Sequence, residues 1–216
     1  MDKEKLSKAL EELRKSKKRN FNQSVDLIIV LKNLDLKKTE NQKEFFITLP
    51  KGINKNVKVC ALTGPETLEE AKKHCDKVIL NTEFEDYAKN PRLAKKLARN
   101  FDYFIAQANI MPAVASSFGK FLAPRGKMPN PKAGSIFPPK ASLKQIVSKL
   151  KNTIKISIKK KPMVQVRVGT ESMKDEDLIE NIMSVYEAVV HHLPNGKNNV
   201  KSVILKLTMS KPVRVV

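Results

Sequence analysis

The sequence of 216 residues is poor in the groups that catalysis and metal binding require. It holds two cysteines, Cys60 and Cys75, and three histidines, His74, His191 and His192. Two isolated cysteines make no disulfide framework and suit a reducing compartment, where each reads as a buried apolar side chain. His74 and Cys75 are adjacent, and neighbours on a helix point about 100° apart. No further Cys or His completes a set of four ligands, so no metal site and no cofactor is expected. The phosphate-cradling glycine patterns G-x-x-x-x-G-K-[ST] and G-x-G-x-x-G are missing, as is a G-x-S-x-G elbow. Asp175, Glu176 and Asp177 open a predicted helix and His191-His192 close it, positions where charges of those signs stabilise helix ends. The sequence does not read as that of an enzyme. An RNA-modifying site in the middle of the chain is the enzymatic alternative, and it would need one of the missing patterns.

Long apolar runs are also missing. The longest, Leu27 to Leu31, is far too short to span a bilayer. The first twenty residues are charged throughout and contain no secretory apolar core, so a cytoplasmic location is expected.

Negative charge is scarce. Against 42 Lys+Arg stand 22 Asp+Glu, a net charge of +20, which points to an anionic partner. The excess is spread: residues 1–58 carry +7, 59–153 carry +8 and 154–216 carry +5. With no basic tail, folded surfaces must display it. Nucleic acid and an anionic membrane are the two candidate partners. A membrane-surface protein needs an amphipathic helix with bulky apolar residues opposite its lysines. Residues 3–18 offer only the stripe Leu6, Ala9, Leu10, Leu13 of a core-packed helix, so no membrane partner is expected.

The texture of the chain changes twice. After the helix at 3–18, Val25 to Leu31 and Phe45 to Leu49 read as strands, with a polar loop between them. From Val57, short apolar strands (57–62, 77–80, 101–106) alternate with helical stretches (66–74, 83–99 with a break at Pro91, 142–150). Met111 to Phe118 adds a turn or two of helix. This alternation implies parallel pairing. From Ile154 the style returns. Ile154, Ile156 and Ile158, a turn at Lys159 to Pro162, and Val164, Val166 and Val168 predict an antiparallel hairpin. A helix at 175–192 and a strand at 200–207 follow. The simplest architecture has two domains, one α+β and one α/β. A split antiparallel-sheet domain (1–60 plus 154–216) carries an inserted three-layer parallel Rossmann-like domain (61–153).

Three segments stand out. Ala123 to Gly134, APRGKMPNPKAG, has three prolines and two glycines between the anchors Phe118, Phe121, Leu122, Ile136 and Phe137. It reads as a rigid, basic loop rather than a helix or an interior strand. Asn20 to Ser24 leads into a strand and Thr208 to Pro212 leaves one. Both combine hydroxyls or amides with an apolar side chain, a mixture suited to 2′-OH, phosphate and base. The alternative is that both are strand caps, with Phe21 and Met209 in the core.

APRGKMPNPKAG closely resembles the signature of the ribosomal protein L-one family, found at the base of the mobile stalk of the large ribosomal subunit. FNQSVDL resembles that family's strand entry and TMSKPVRV its Thr-Met-Gly motif. The family has Leu where Lys127 stands and Gly where Ser210 stands. The likeness covers essentially the whole chain, and the Ile/Lys-rich composition without a long N-terminal extension resembles the archaeal branch. It implies the split fold with an insertion, and a ribosomal constituent whose split domain binds large-subunit rRNA. It also implies assistance in releasing deacylated tRNA from the exit site, repression of translation through binding its own mRNA, and a monomer when free of the ribosome. The implied RNA contacts are Phe21, Ser24, Asp26, Arg167, Gly169, Thr208, Met209 and Ser210. A carboxylate such as Asp26 can accept from a 2′-OH or a base amine. Arg125, Lys127 and Lys132 are left for a secondary tRNA or interdomain contact, or for a loop that merely caps a sheet edge.

Overall fold

A computed structural model describes residues 2–17, 19–54, 56–139, 141–159 and 161–215. In chain order it contains α1 (Lys3–Arg14), β1 (Ser24–Leu31), β2 (Lys43–Thr48), β3 (Val59–Thr63), α2 (Leu68–His74), β4 (Lys77–Leu80), α3 (Phe84–Lys89) and α4 (Pro91–Asn100). There follow β5 (Tyr103–Gln107), α5 (Met111–Leu122), β6 (Ile136–Phe137), α6 (Leu143–Lys151), β7 (Thr153–Ile158), β8 (Met163–Thr170), α7 (Asp175–His192), β9 (Val200–Leu207) and β10 (Val213–Arg214). The chain divides into two compact units, Met1–Lys55 with Asn152–Val216, and Asn56–Lys151. The boundaries read from sequence, 60/61 and 153/154, fall inside β3 and β7. The ladder of each strand holds it whole within one unit.

In the first unit an antiparallel sheet has the order β10-β9-β1-β8. Strict alternation along β1 buries Val25, Leu27, Ile29 and Leu31. These residues meet the stripe of α1 (Leu6, Ala9, Leu10, Leu13) and the buried side of α7 (Leu178, Ile182, Val185, Val189) in one core. Ser24, Asp26, Ile28 and Val30 point to the opposite face.

The predicted hairpin of β7 with β8 does not form. β7 pairs with β2 in a separate two-stranded sheet, while β8 pairs with β1. The polar turn separates the two ladders, and within it the Pro162 carbonyl accepts from the Leu31 N–H at 2.8 Å. Lys160 of that turn, and Lys18 at the end of the first predicted helix, lie outside the described residues.

The second unit is a parallel sheet, β4-β3-β5-β6. α2 and α6 pack on one face and α3, α4 and α5 on the other. β3 is buried along its whole length, as an interior strand of a three-layer α/β unit must be. α5 runs for 12 residues, longer than expected. Its spacing Val114, Phe118, Leu122 keeps one face buried, and Pro112 fits its first turn.

Asn181 of α7 is a fully buried polar side chain. Its amide donates to Gly52 O at 2.8 Å and Val168 O at 2.9 Å, and its Oδ1 accepts from Lys51 N–H at 3.1 Å. Val168 is the residue skipped where the β1–β8 register shifts, so Asn181 supplies the partner at that bulge. Asn181→Ala strands two buried carbonyls and frees the partly buried Lys51 N–H, and should destabilise the protein by about 2–5 kcal/mol. Urea unfolding of the two proteins measures this, and a loss below about 1 kcal/mol would mean that water replaces the side chain.

Candidate nucleic-acid interface

Antiparallel pairing brings the start of β1 to the ends of β8 and β9. Ser24 lies opposite Thr170, and Val25 lies between Gly169 and Leu207. Three segments far apart in sequence, 21–26, 167–172 and 208–210, therefore share one end of the sheet. Side chains hold them there. Gln23, 1% exposed, donates from Nε2 to Glu171 at 3.2 Å, and its Oε1 accepts from the Met209 N–H at 3.1 Å. Its backbone carbonyl accepts from the Glu171 N–H at 2.8 Å. Thr208 Oγ1 accepts from the Ser24 N–H at 3.1 Å. Asn22 donates to Ser172 Oγ at 3.0 Å, and the Thr170 hydroxyl lies 3.1 Å from the same atom. Sequence reasoning misses Gln23 and Glu171 as organisers of this end. Nothing local in the sequence says that their partners lie on the far strands.

On this frame Phe21 and Met209 are 51% and 58% exposed. The core alternative for them is thus excluded. Fully burying such a side chain is worth roughly 1.5–3 kcal/mol, so the free protein forgoes about half of that gain at each of the two positions. Met209 and Ser210 also line a shallow groove with Glu12, Leu13, Ser16, Lys17, Lys211 and Val213.

Beside them, on the face away from the helices, Asp26 stands opposite Arg167 on one side and Lys206 on the other. Burial pushes the Asp26 carboxyl above its usual range, and the two cations offset this only in part. Arg167 Nε is shielded from solvent and has no hydrogen-bond partner among the described residues. A donor left so costs about 1–3 kcal/mol, which an acceptor on a ligand would recover.

The other sequence-predicted residues have structural duties. A Cβ at Gly169 would come within 2.5 Å of Leu178 Cδ2 and 2.7 Å of Met173 Sδ, so this glycine allows α7 and its leading loop to close on the sheet. Ser210 Oγ accepts from the Leu207 N–H at 2.9 Å and donates to Lys211 O at 3.0 Å, which ties off the end of β9. The loop 123–134 belongs to the second unit. Lys127 Nζ donates to Ala98 O at 2.9 Å and Phe101 O at 2.6 Å, the terminal carbonyls of α4. That contact gives Lys127 a structural role within the second unit. Arg125 and Lys132 are exposed. Gly126 and Gly134 adopt the left-handed conformation after single 3₁₀ turns, and the loop runs directly into the edge strand β6.

No group of three or more His, Cys, Asp or Glu among the described residues could hold a metal ion. Burial pushes the thiols of Cys60 and Cys75 up to about 12 and about 11, so neither serves as a nucleophile near neutral pH. His192 stacks on Phe45 at 3.8 Å, and its Nδ1 lies 2.8 Å from Ala188 O. No described helix is long and apolar enough to cross a membrane.

These features define a strongly basic α+β and α/β protein that exposes polar and apolar side chains together at the strand ends of its first unit. The sequence profile of the Ribosomal protein L1p/L10e family matches residues 13–211. The chain is 41% identical over 216 residues to large ribosomal subunit protein uL1 of Pyrococcus horikoshii, covering 99% of this chain and 96% of the relative. It is 40% identical to uL1 of Methanobrevibacter smithii over the full length of both, and 43% identical to that of Nanoarchaeum equitans over 206 residues, 94% of this chain and 95% of the relative. The chain belongs to the ribosomal protein L1p/L10e family, in its archaeal-like branch. This is a family of ribosomal proteins, not of enzymes.

The raised pKa of Asp26 fixes a pH dependence. A carboxyl that holds its proton more tightly in the folded state contributes stability that is fully present below the unfolded value, near 3.8, and lost as pH rises through the folded value. Asp26→Asn removes that loss. Its melting temperature should exceed that of the parent at pH 7 and equal it at pH 3, and scanning calorimetry at the two pH values checks this.

Proposed function

We propose that this protein is a constituent of the large ribosomal subunit, in the cytoplasm, that grips large-subunit rRNA with the strand ends of its split unit. The observation that carries this reading is the exposure of both Phe21 and Met209 at one end of the sheet, on a frame already held by the Gln23, Asn22 and Thr208 hydrogen bonds. Phe21 and Met209 offer flat and polarisable apolar surface to sugar or base. Thr208 uses its oxygen to accept from Ser24 and keeps its hydroxyl proton for an outside acceptor. Arg167 offers a desolvated donor to a phosphate, Ser24 a hydroxyl, and Asp26 an acceptor for a 2′-OH. The net charge steers the encounter, and the strand ends set the register.

Such a surface reads the shape of an RNA fold rather than its origin. An mRNA presenting the same fold is bound by the same residues, which is how the protein would repress its own translation. Support for this, and for assisting tRNA release from the exit site, comes from the likeness to its family. Exposed Arg125 and Lys132 are the residues of the loop that remain for the tRNA contact.

The Met209 side chain is 58% exposed, so Met209→Ala should leave the fold intact. The substitution should weaken binding to protein-free large-subunit rRNA by about tenfold at fixed salt, in line with roughly 1.5–3 kcal/mol for burying a methionine side chain, at unchanged melting temperature. Filter binding at one salt concentration measures it, and unchanged affinity would remove Met209 from the site.

A further inference from the structure

We propose that the outer face of α4 is a second RNA-docking surface, which grips phosphates without reading sequence. α4 buries Ala94, Leu97 and Ala98 against the sheet of the second unit. At about 100° per residue, Arg92, Lys96 and Arg99 fall on the opposite side and Lys95 on its flank, and all four are exposed. The helix contains no acidic residue, and its first turn carries Arg92 where a carboxylate would suit the dipole.

This arrangement works against the helix. Arg92 with Lys96 and Lys95 with Arg99 are like-charge pairs at i,i+4, and Arg92 with Lys95 and Lys96 with Arg99 repeat the clash at i,i+3. None of the four joins an ion pair among the described residues. The neighbouring carboxylate of Glu85 on α3 pairs with Lys89 at 3.5 Å instead. Leu93, 48% exposed, lies at the edge of this outer surface, beside Lys96. Beyond the helix, Lys127 is clamped to the Ala98 and Phe101 carbonyls, which brings the basic loop with exposed Arg125 against the end of α4.

A row of cations spaced by about one helical turn, unneutralised by the protein, fits a chain of phosphates. Each phosphate bound there relieves the repulsion and releases counterions. One exposed leucine is too little apolar surface for a membrane, so RNA is the occupant. The inference rests on a different unit from the strand-end site and asks of that reading only that the protein binds RNA.

The test compares the full-length parent, R92Q/K95Q/K96Q/R99Q and Met209→Ala. Filter binding runs from about 50 to about 200 mM salt, with protein-free large-subunit rRNA and with deacylated tRNA as separate probes. The quadruple variant should lower the magnitude of the slope of log K against log salt by about 2–3, near 0.7–0.9 for each phosphate that the variant no longer neutralises. The probe that shows the fall identifies the RNA that docks. The melting temperature should stay level or rise, since glutamine is as good a helix former and the like-charge pairs are gone. R92K/R99K should keep the parental slope. Met209→Ala should lower rRNA affinity without changing the slope, so it reports on the strand-end site alone. An unchanged slope with both probes, or a lower melting temperature in the quadruple variant, overturns the proposal whether or not the strand-end site survives its own test.

Discussion

Everything at the strand-end surface of this protein depends on the buried amide of Gln23. It donates to Glu171 after β8 and accepts from the Met209 N–H after β9, while its own residue leads into β1. A buried amide with both ends satisfied is far better than one left half-paired, so these bonds are made together or not at all. They hold three chain ends that would otherwise fray, and they do so before any ligand arrives. Two apolar side chains can then remain in water without folding back, because the backbone that carries them is already fixed. That is preorganisation, which reduces the ordering cost of binding.

The two units use charge differently. In the first, cations are interleaved with other chemistry: Arg167 and Lys206 flank Asp26, beside hydroxyls and exposed apolar groups. Such a mixture can discriminate among RNA folds. In the second, the outer side of α4 presents four cations and no acidic residue. A surface of that kind adds affinity and salt dependence but little discrimination. The loop that carries the family signature contributes in a third way. Its prolines and left-handed glycines bring the chain from α5 to the edge strand β6, and Lys127 ties it to the carbonyl end of α4.

The sequence is most readable where a periodic pattern runs long enough. β1, α7 and β9 are legible from alternation, from acidic and basic ends, and from the Pro-Asn-Gly stop. Periodicity reports which face of an element is buried, but not which element it meets. That is why β7 and β8, both alternating and joined by a turn, read as a hairpin although they pair with β2 and β1. The two-residue strands β6 and β10 are too short to carry any period. At the strand ends, Phe21, Ser24, Thr208 and Met209 are legible as an unusual mixture of side chains; Phe21, Thr208 and Met209 are exposed and Ser24 is half-buried. Gln23 and Glu171 are not legible, because a long-range hydrogen bond leaves no local trace. Lys127 misleads for a similar reason: a lysine capping a distant helix looks in sequence like any other surface cation.

The central claim is that the strand-end surface exists in the free protein. Amide hydrogen exchange of the unbound protein measures this directly at Ser24, Glu171 and Met209, whose N–H groups bond to Thr208, Gln23 and the Gln23 side chain. The account predicts that all three exchange slowly, with protection approaching that of Leu27 and Ile29 inside β1. Exchange at the rate of an unfolded chain at these three amides, with Leu27 and Ile29 still protected, would show that the surface forms only on binding and would contradict it.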